Sequence, residues 1–304
     1  MKKNHLTRRE FLVRTVGLAG AASLGTLPIA WSAPTRKFHA SDQVVLGKTG
    51  IRCSLLGFGT GTHGGRDQRS LGYEEFTRLI RYAYDHGITY IDTAQNYRTH
   101  DYVRRAIQGL PREKLFIQTK IPGVPADPLA TIDRYRKELN TDYIDSLLAH
   151  VATSPRWDEQ RKRTIEAMLE AKERKWVRAL GVSCHSLPAL RRAIELDWVE
   201  IHLVRINPKG VLMDTETPRW NARSDESSVP IVVDLLKKIH EKNRGVIGMK
   251  ILGEGRFKTR KDRADSIRFV LGLGTVQAMV IGFKSKEEID EAIQNIEQAH
   301  LGES

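Results

Sequence analysis

Apolar positions along this chain follow two alternating spacings. Short β-branched runs, which read as buried strands, are separated by longer stretches whose apolar residues recur at helical intervals. The first such run is Leu55-Leu56-Gly57-Phe58-Gly59-Thr60. Over residues 74–86, Phe76, Leu79, Ile80 and Ala83 share one helical face, and Gly87 closes the helix. Further strands are expected to end near Asp92, Lys120, His150, Cys184, Asn207, Leu252 and Phe283. Helical patterns lie between and after them, over residues 102–108, 129–139, 157–174, 187–196, 229–243, 262–271 and 286–299. Ahead of these units, Val44-Val45-Leu46 and Ile51-Arg52-Cys53 flank Gly47-Lys48-Thr49-Gly50, which reads as a hairpin with glycine where a turn needs positive φ. Eight strand–helix units in about 250 residues predict an α/β fold, a (β/α)8 TIM barrel. A doubly wound sheet is the rival, but Gly57-Phe58-Gly59-Thr60-Gly61 lacks the third glycine of a dinucleotide turn at that spacing.

Three consecutive strand-like runs carry an ionisable group at their ends. Gly87-Ile88-Thr89-Tyr90-Ile91 leads to Asp92, and Tyr97 follows in a loop. Leu115-Phe116-Ile117-Gln118-Thr119 leads to Lys120, and Tyr143-Ile144-Asp145-Ser146-Leu147-Leu148-Ala149 leads to His150. As parallel neighbours, these strands would bring Asp92, Tyr97, Lys120 and His150 to one edge of the sheet, where α/β barrels carry their active sites. Each residue alone has a plain reading: a helix cap, a loop surface, a solvated strand end, a satisfied polar group. Four of them at successive strand ends point to chemistry.

Composition narrows the partners. The chain is basic, with a formal net charge of +12 and a pI near 9.7. Its Lys and Arg nevertheless alternate with Asp and Glu on helix faces, as over residues 166–175, and no aromatic–basic groove pattern is present, so nucleic acid is not expected as a partner. Cys53 and Cys184 are the sole cysteines, which gives neither a disulfide framework nor a zinc-type pair. Cys184 and His185 together are too few for a metal site, and no metal is expected.

The N-terminal stretch reads as an address. Thr7-Arg8-Arg9-Glu10-Phe11-Leu12 follows Lys2 and Lys3, and a small-residue apolar run over 13–30 comes next, broken by Arg14. This resembles a twin-arginine export signal. The run is Gly/Ala-rich and makes a poor bilayer span, so no stable membrane span is expected in the mature form. Ala30-Trp31-Ser32 places small residues at the spacing a signal peptidase reads. The expected organisation is a signal peptide over 1–32, a linker over 33–42 and a barrel over 43–304. The twin-arginine machinery would be a partner, and the destination an exported, periplasmic one, reached after folding in the cytoplasm.

Between residues 44 and 298 the chain resembles the aldo-keto reductase family. Gly57-Phe58-Gly59-Thr60, Ile91-Asp92-Thr93-Ala94 with Tyr97, Thr119-Lys120, Asp142-Tyr143-Ile144-Asp145 with His150, and Arg178-Ala179-Leu180-Gly181-Val182-Ser183 stand in the family's order and spacing. The resemblance implies a TIM barrel whose bottom is capped by the N-terminal hairpin, NADPH bound extended across the top (NADH being possible), and reduction of a small-molecule carbonyl by hydride transfer. In that chemistry Tyr97 donates the proton. An ordinary phenol has a pKa of about 10, and a neighbouring Lys120 ammonium would lower it. Asp92 would hold Lys120 in place, and His150 would orient the carbonyl.

Cofactor contacts implied by the resemblance are Gly59, Thr60, Asp92, Ser183, Cys184, Lys250, Leu252, Gly282, Lys284 and Glu291. The chain departs from the family pattern at four of its positions. Cys184 stands where an Asn is usual, Leu203 where a Gln is usual, Glu288 where an Arg meets the adenosine phosphate, and Ala292 where an Asn closes the site. Lys284, Lys286 and Lys250 are candidates to meet a phosphate instead. For the substrate side, Trp157 and Trp220 are candidates from top-face loops, and the polar stretch 210–228 is long enough to be a lid. A second reading is a cofactor-binding barrel that acts as a sensor or subunit with little turnover.

Overall fold

Both faces of the strand-like runs find cover. The computed structural model describes residues 37–299. Within them β1 (Gln43–Val45) and β2 (Arg52–Ser54) form an antiparallel hairpin. β3 (Leu56–Gly59), β4 (Tyr90–Asp92), β5 (Phe116–Pro122), β6 (Ile144–Ala152), β7 (Val177–Cys184), β8 (Ile201–Arg205), β9 (Gly245–Met249) and β10 (Ala278–Gly282) follow. These eight are parallel and close into a barrel, β10 pairing back to β3 at Gly282 and Gly59. The TIM-barrel expectation holds.

Alternation along the strands decides what each residue faces. Tyr90, Phe116, Leu148, Ala179, Ile201, Leu203, Ile247, Ala278 and Val280 meet in one cluster inside the barrel. Their neighbours Ile91, Ile117, Leu147, Leu180 and Val204 belong to the larger core between strands and helices. Leu46, Ile51 and Cys53 of the hairpin join the interior cluster, so the hairpin closes one end of the barrel. Gly47 permits this. Its φ is +51°, and a Cβ there would lie 2.4 Å from the Arg244 carbonyl carbon. Lys48 N–H also donates to the Asn243 carbonyl at 2.7 Å.

The principal helices are α1 (Gly72–Asp85), α2 (His100–Ile107), α3 (Pro128–Leu139), α4 (Lys162–Glu173), α5 (Leu187–Glu195), α6 (Ser228–Glu241), α7 (Arg260–Gly272) and α8 (Lys286–Glu297). Local chemistry starts several of them. Asp127 accepts from Ala130 N–H at 2.9 Å, Ser186 from Ala189 N–H at 3.2 Å and Thr259 from Asp262 N–H at 3.0 Å.

Three details depart from the pattern read in the sequence. The helix expected over 157–174 is broken at Arg161, leaving a short turn (Trp157–Gln160) before α4. Arg161 instead reaches the carbonyls of His150 and Val151 at 2.6 and 2.8 Å, where β6 ends in a register shift and Val151 has a φ of 55°. A further short helix, Arg66–Arg69, follows β3. Residues 37–42, read as linker, are packed: Phe38 and Ala40 are buried in the core and Leu56 N–H donates to the Ala40 carbonyl at 3.0 Å. The stretch read as an export signal lies outside the described residues. Among the described residues no helix is long and apolar enough to cross a membrane.

Asp145 secures the lower half of the barrel. Its fully buried carboxylate accepts from Arg112 at 2.6 Å, Arg178 at 2.7 Å and Ile117 N–H at 2.9 Å, so the charge is paired and fully bonded. Cys53, opposite Val44 in the hairpin, and Cys184, last in β7, are free and stand at opposite ends of the barrel.

His202 is the converse of Asp145. It is fully buried on the helix side of β8, and neither ring nitrogen has a hydrogen-bond partner. Burial, helped by Arg244, pulls its pKa down to about 3. An unfolded chain protonates this ring near pH 6.5, whereas the folded chain refuses the proton until about pH 3. Stability is therefore fully present above the unfolded value and is lost as pH falls between the two. His202→Leu should raise stability at pH 7 by about 1–2 kcal/mol by removing unpaired polar atoms. It should also flatten the acid limb in denaturant titrations across this window; an unchanged limb would show that His202 does not cause it.

Candidate active site

Alternation carries the inward face of each strand up to the open end of the barrel. Above Tyr90 stands Asp92, above Phe116 stand Gln118 and Lys120, and above Leu148 stands His150. β4, β5 and β6 are neighbours, with Asp92 opposite Gln118 and Pro122 opposite His150. Lys120, read as a strand end, is two residues inside β5 and fully buried. Its ammonium donates to both Asp92 oxygens at 2.7 Å and to the Thr93 carbonyl at 2.9 Å. Gln118, missed from the sequence, underpins this pair. Its amide donates to Asp92 Oδ1 and Tyr90 Oη, each at 2.8 Å, and its oxygen accepts from Ser146 at 2.9 Å.

Tyr97 leaves the barrel in a single 3-10 turn, Gln95–Tyr97. Its ring lies over Lys120, 4.8 Å from Nζ to centroid, and its Oη is 3.4 Å from His150 Nε2. Gly61 makes room: a Cβ there would stand 2.5 Å from the phenol ring carbons. Arg69 holds the Tyr97 carbonyl from behind. The four residues proposed for chemistry are thus brought together.

The electrostatics correct one expectation. The Tyr97 pKa is raised, not lowered. Burial pushes the phenol well above its ordinary value, the Asp92 and Glu254 carboxylates add to this, and Arg205 opposes it. The reason is geometric: the Lys120 charge is spent on the Asp92 carboxylate, and burial dominates what remains. Burial also lowers Lys120 itself, opposed by Asp92. His150 is held well below its ordinary value by burial, then by Lys120 and Arg161, so its ring is neutral. Its Nδ1 has no partner.

A cleft of about 650 Å³ runs from Asp92 and Tyr97 across the 249–258 loop to Asn295 on α8. Of the cofactor candidates, Gly59, Asp92, Lys250, Leu252, Gly282, Lys284 and Glu291 line it. Ser183 faces inward beside it, its hydroxyl 3.3 Å from His185 Nε2. Thr60 does not line the cleft; it is buried, hydroxyl to hydroxyl with Thr99 at 2.8 Å. Cys184 is also a correction. One residue beyond inward-facing Ser183, it turns to the helix side and packs in the outer core, away from the cleft.

Charges at the far end are largely spoken for. Glu291 is gripped by Arg263 at 2.5 and 3.0 Å, and Glu288 accepts from Lys284 N–H at 2.7 Å. Lys250 is paired with Glu254 at 2.8 Å, and Glu254 also accepts from His63 N–H at 3.0 Å, tying the loop after β9 to the loop after β3. Trp157 is corrected too: it is buried, donates to the Ala189 carbonyl at 3.3 Å and packs edge-on against Trp198. Trp220 is 62% exposed and does not line the cleft. The 210–227 stretch carries no helix or strand but is internally bonded: Met213 and Asp214 are buried, and Ser224 bridges Met213 N–H at 2.9 Å and the Gly210 carbonyl at 2.7 Å. Among the described residues no group of three or more His, Cys, Asp or Glu is placed to hold a metal ion.

The open end of the parallel barrel thus carries a buried Asp–Lys pair under a tyrosine, beside a neutral histidine and a long cleft. The chain belongs to the aldo/keto reductase family, whose family model matches residues 55–300. It is similar to aldehyde reductase YPR1 of Saccharomyces cerevisiae, 26% identical over 62% of this chain and 72% of that protein. It is 31% identical to methylglyoxal reductase DkgB of Salmonella typhi over 42% of this chain, spanning about half (51%) of that relative. Its fold is similar to that of an aldo-keto reductase from Klebsiella pneumoniae solved in complex with NADPH, with a TM-score of 0.62 and 19% identity, covering 84% of this chain and 89% of that one.

Proposed function

We propose that this chain is an oxidoreductase that reduces an aldehyde or ketone to the alcohol, using NADPH with NADH as the alternative donor. The observation that carries the reading is Tyr97, its ring against the Asp92-paired Lys120 and its hydroxyl 3.4 Å from neutral His150, at one end of a cleft of about 650 Å³. A bound reduced nicotinamide would supply the hydride. The residues present fit that group: the cleft runs from Tyr97 past Gly59, Gly61 and Gly282, and Ser183 and His185 offer polar atoms near His150. Lys258 and Lys284 put positive charge at the far end of the cleft, which favours a phosphate there.

Tyr97 then has one task. Its raised pKa keeps the hydroxyl protonated, so it can donate to a carbonyl oxygen and give up the proton as that oxygen gains charge. His150, neutral, donates a hydrogen bond from Nε2 to the same oxygen and orients it. Lys120, fixed by Asp92, lies against the Tyr97 ring and so positions the hydroxyl.

Tyr97→Phe should retain NADPH binding, read by tryptophan fluorescence, and lose carbonyl reduction by at least about a hundredfold. Near-wild-type turnover would remove Tyr97 from the chemistry. A wild-type chain that binds NADPH but reduces no member of a carbonyl panel would favour the sensor reading instead.

We further propose that the stretch around Arg8 and Arg9 directs twin-arginine export of the folded chain to the periplasm. Its support is the sequence Thr7-Arg8-Arg9-Glu10-Phe11-Leu12. The double variant Arg8→Lys, Arg9→Lys should leave folded protein in the cytoplasmic fraction; unchanged export would refute that route.

A further inference from the structure

The inward face of β8 ends in a cation that the reductase chemistry above does not use. Ile201 and Leu203 belong to the barrel interior, whereas Val204 packs against the helices. Alternation therefore turns Arg205 inward, one layer above Leu203. Its charge acts on Tyr97 and Glu254, which line the cleft. Its register partner on β9, Met249, lines the cleft. Arg205 is 4% exposed.

Its compensation is poor. Lys120 and Lys250, two other cations of this region, have carboxylates at 2.7 and 2.8 Å. Arg205 has Asp214 at 3.6 Å, beyond hydrogen-bond distance. Its Nε has no partner, and neither oxygen of fully buried Asp214 accepts a bond. One Nη2 hydrogen bond, 2.8 Å to the Trp220 carbonyl, ties the guanidinium to the 210–227 loop. Burial also pushes Asp214 up to about 7, which weakens it further as a counter-ion near neutrality. A guanidinium presents a planar fork of donors suited to two parallel bonds with a carboxylate. Here that fork is buried and short of acceptors, and Arg205 is not itself among the residues that line the cleft.

We propose that Arg205 anchors a carboxylate on the substrate, so that the preferred carbonyl compounds are oxo acids rather than neutral aldehydes or ketones. Burial of the site favours a single charge: a dianionic phosphate would face Asp214 and Glu254 with more repulsion than one guanidinium offsets. The proposal rests on the reductase reading for its consequence in turnover, but the anchor itself can be tested without turnover.

The first experiment compares two substrates of equal chain length, succinic semialdehyde and butanal, with NADPH supplied. Wild type should favour the carboxylated one in kcat/KM by about tenfold or more. Arg205→Met should lower kcat/KM for succinic semialdehyde at least about tenfold more than for butanal, the smaller loss on butanal reporting the guanidinium's action on Tyr97, and Arg205→Lys should recover part of the difference. Equal losses on both substrates would mean that Arg205 only supports the loop, and no loss on either would remove it from recognition; both overturn the proposal.

The second experiment titrates butanoate, which cannot be reduced, against butanamide in the wild-type chain. Trp220 emission is the readout, with Trp220→Phe as the blank. Butanoate alone should shift the emission, because an anion taking the guanidinium releases the Trp220 carbonyl. A response to neither, or to both equally, overturns the anchor even if Arg205→Met does not fold. A butanoate response in a chain that reduces no carbonyl would keep the anchor and reject the reductase reading.

Discussion

Lys120 is a fully buried ammonium, and the open end of the barrel is arranged around compensating it. Removing one partner from such a buried pair costs about 3–5 kcal/mol in proteins generally. Here the compensation is thorough: two Asp92 oxygens, the Thr93 carbonyl, and Gln118 bracing the carboxylate from below. The pair spans adjacent strands β4 and β5, so its geometry is set by barrel register rather than by loop conformation. Tyr97, on a one-turn segment, is then located against a fixed charge rather than left to its own backbone.

Compensation of Lys120 also sets the protonation pattern. A free ammonium beside a phenol would draw out its proton. With Asp92 taking that charge, burial governs both Tyr97 and His150, one kept protonated and the other kept neutral. The result is an acid and a neutral hydrogen-bond donor that face one point over the ordinary pH range. The two lysine–carboxylate pairs of the site, Lys120–Asp92 and Lys250–Glu254, are both well made, which sets the loosely paired Arg205 apart.

The barrel was legible in the sequence because strands buried on both faces read as continuous apolar runs, and helices between them keep their own spacing. The chemical residues were legible because they interrupt those runs at their ends. What escaped was what depends on facing. Gln118 and Arg205 lie on the same inward parity as Lys120 and Leu203, and strict counting in twos from Phe116 and Ile201 would have found both. The same count separates inward Ser183 from outward Cys184. Trp157 was misplaced because a loop position says nothing of which way a side chain packs, and its indole found the Ala189 carbonyl within the core. The sign of the Tyr97 shift could not be read at all, because it turns on a 2.7 Å contact between other residues and on depth of burial.

The central claim is that Asp92 cancels Lys120, so that Tyr97 rests as a protonated acid. The most direct measurement is a pH titration of the unliganded chain by carbon-13 NMR with tyrosine labelled at Cζ, the Tyr97 signal being identified by its loss in a Phe variant. The account predicts no ionisation step for Tyr97 up to about pH 10. A step well below that value would show that the Lys120 charge reaches the phenol uncancelled, and would contradict the account.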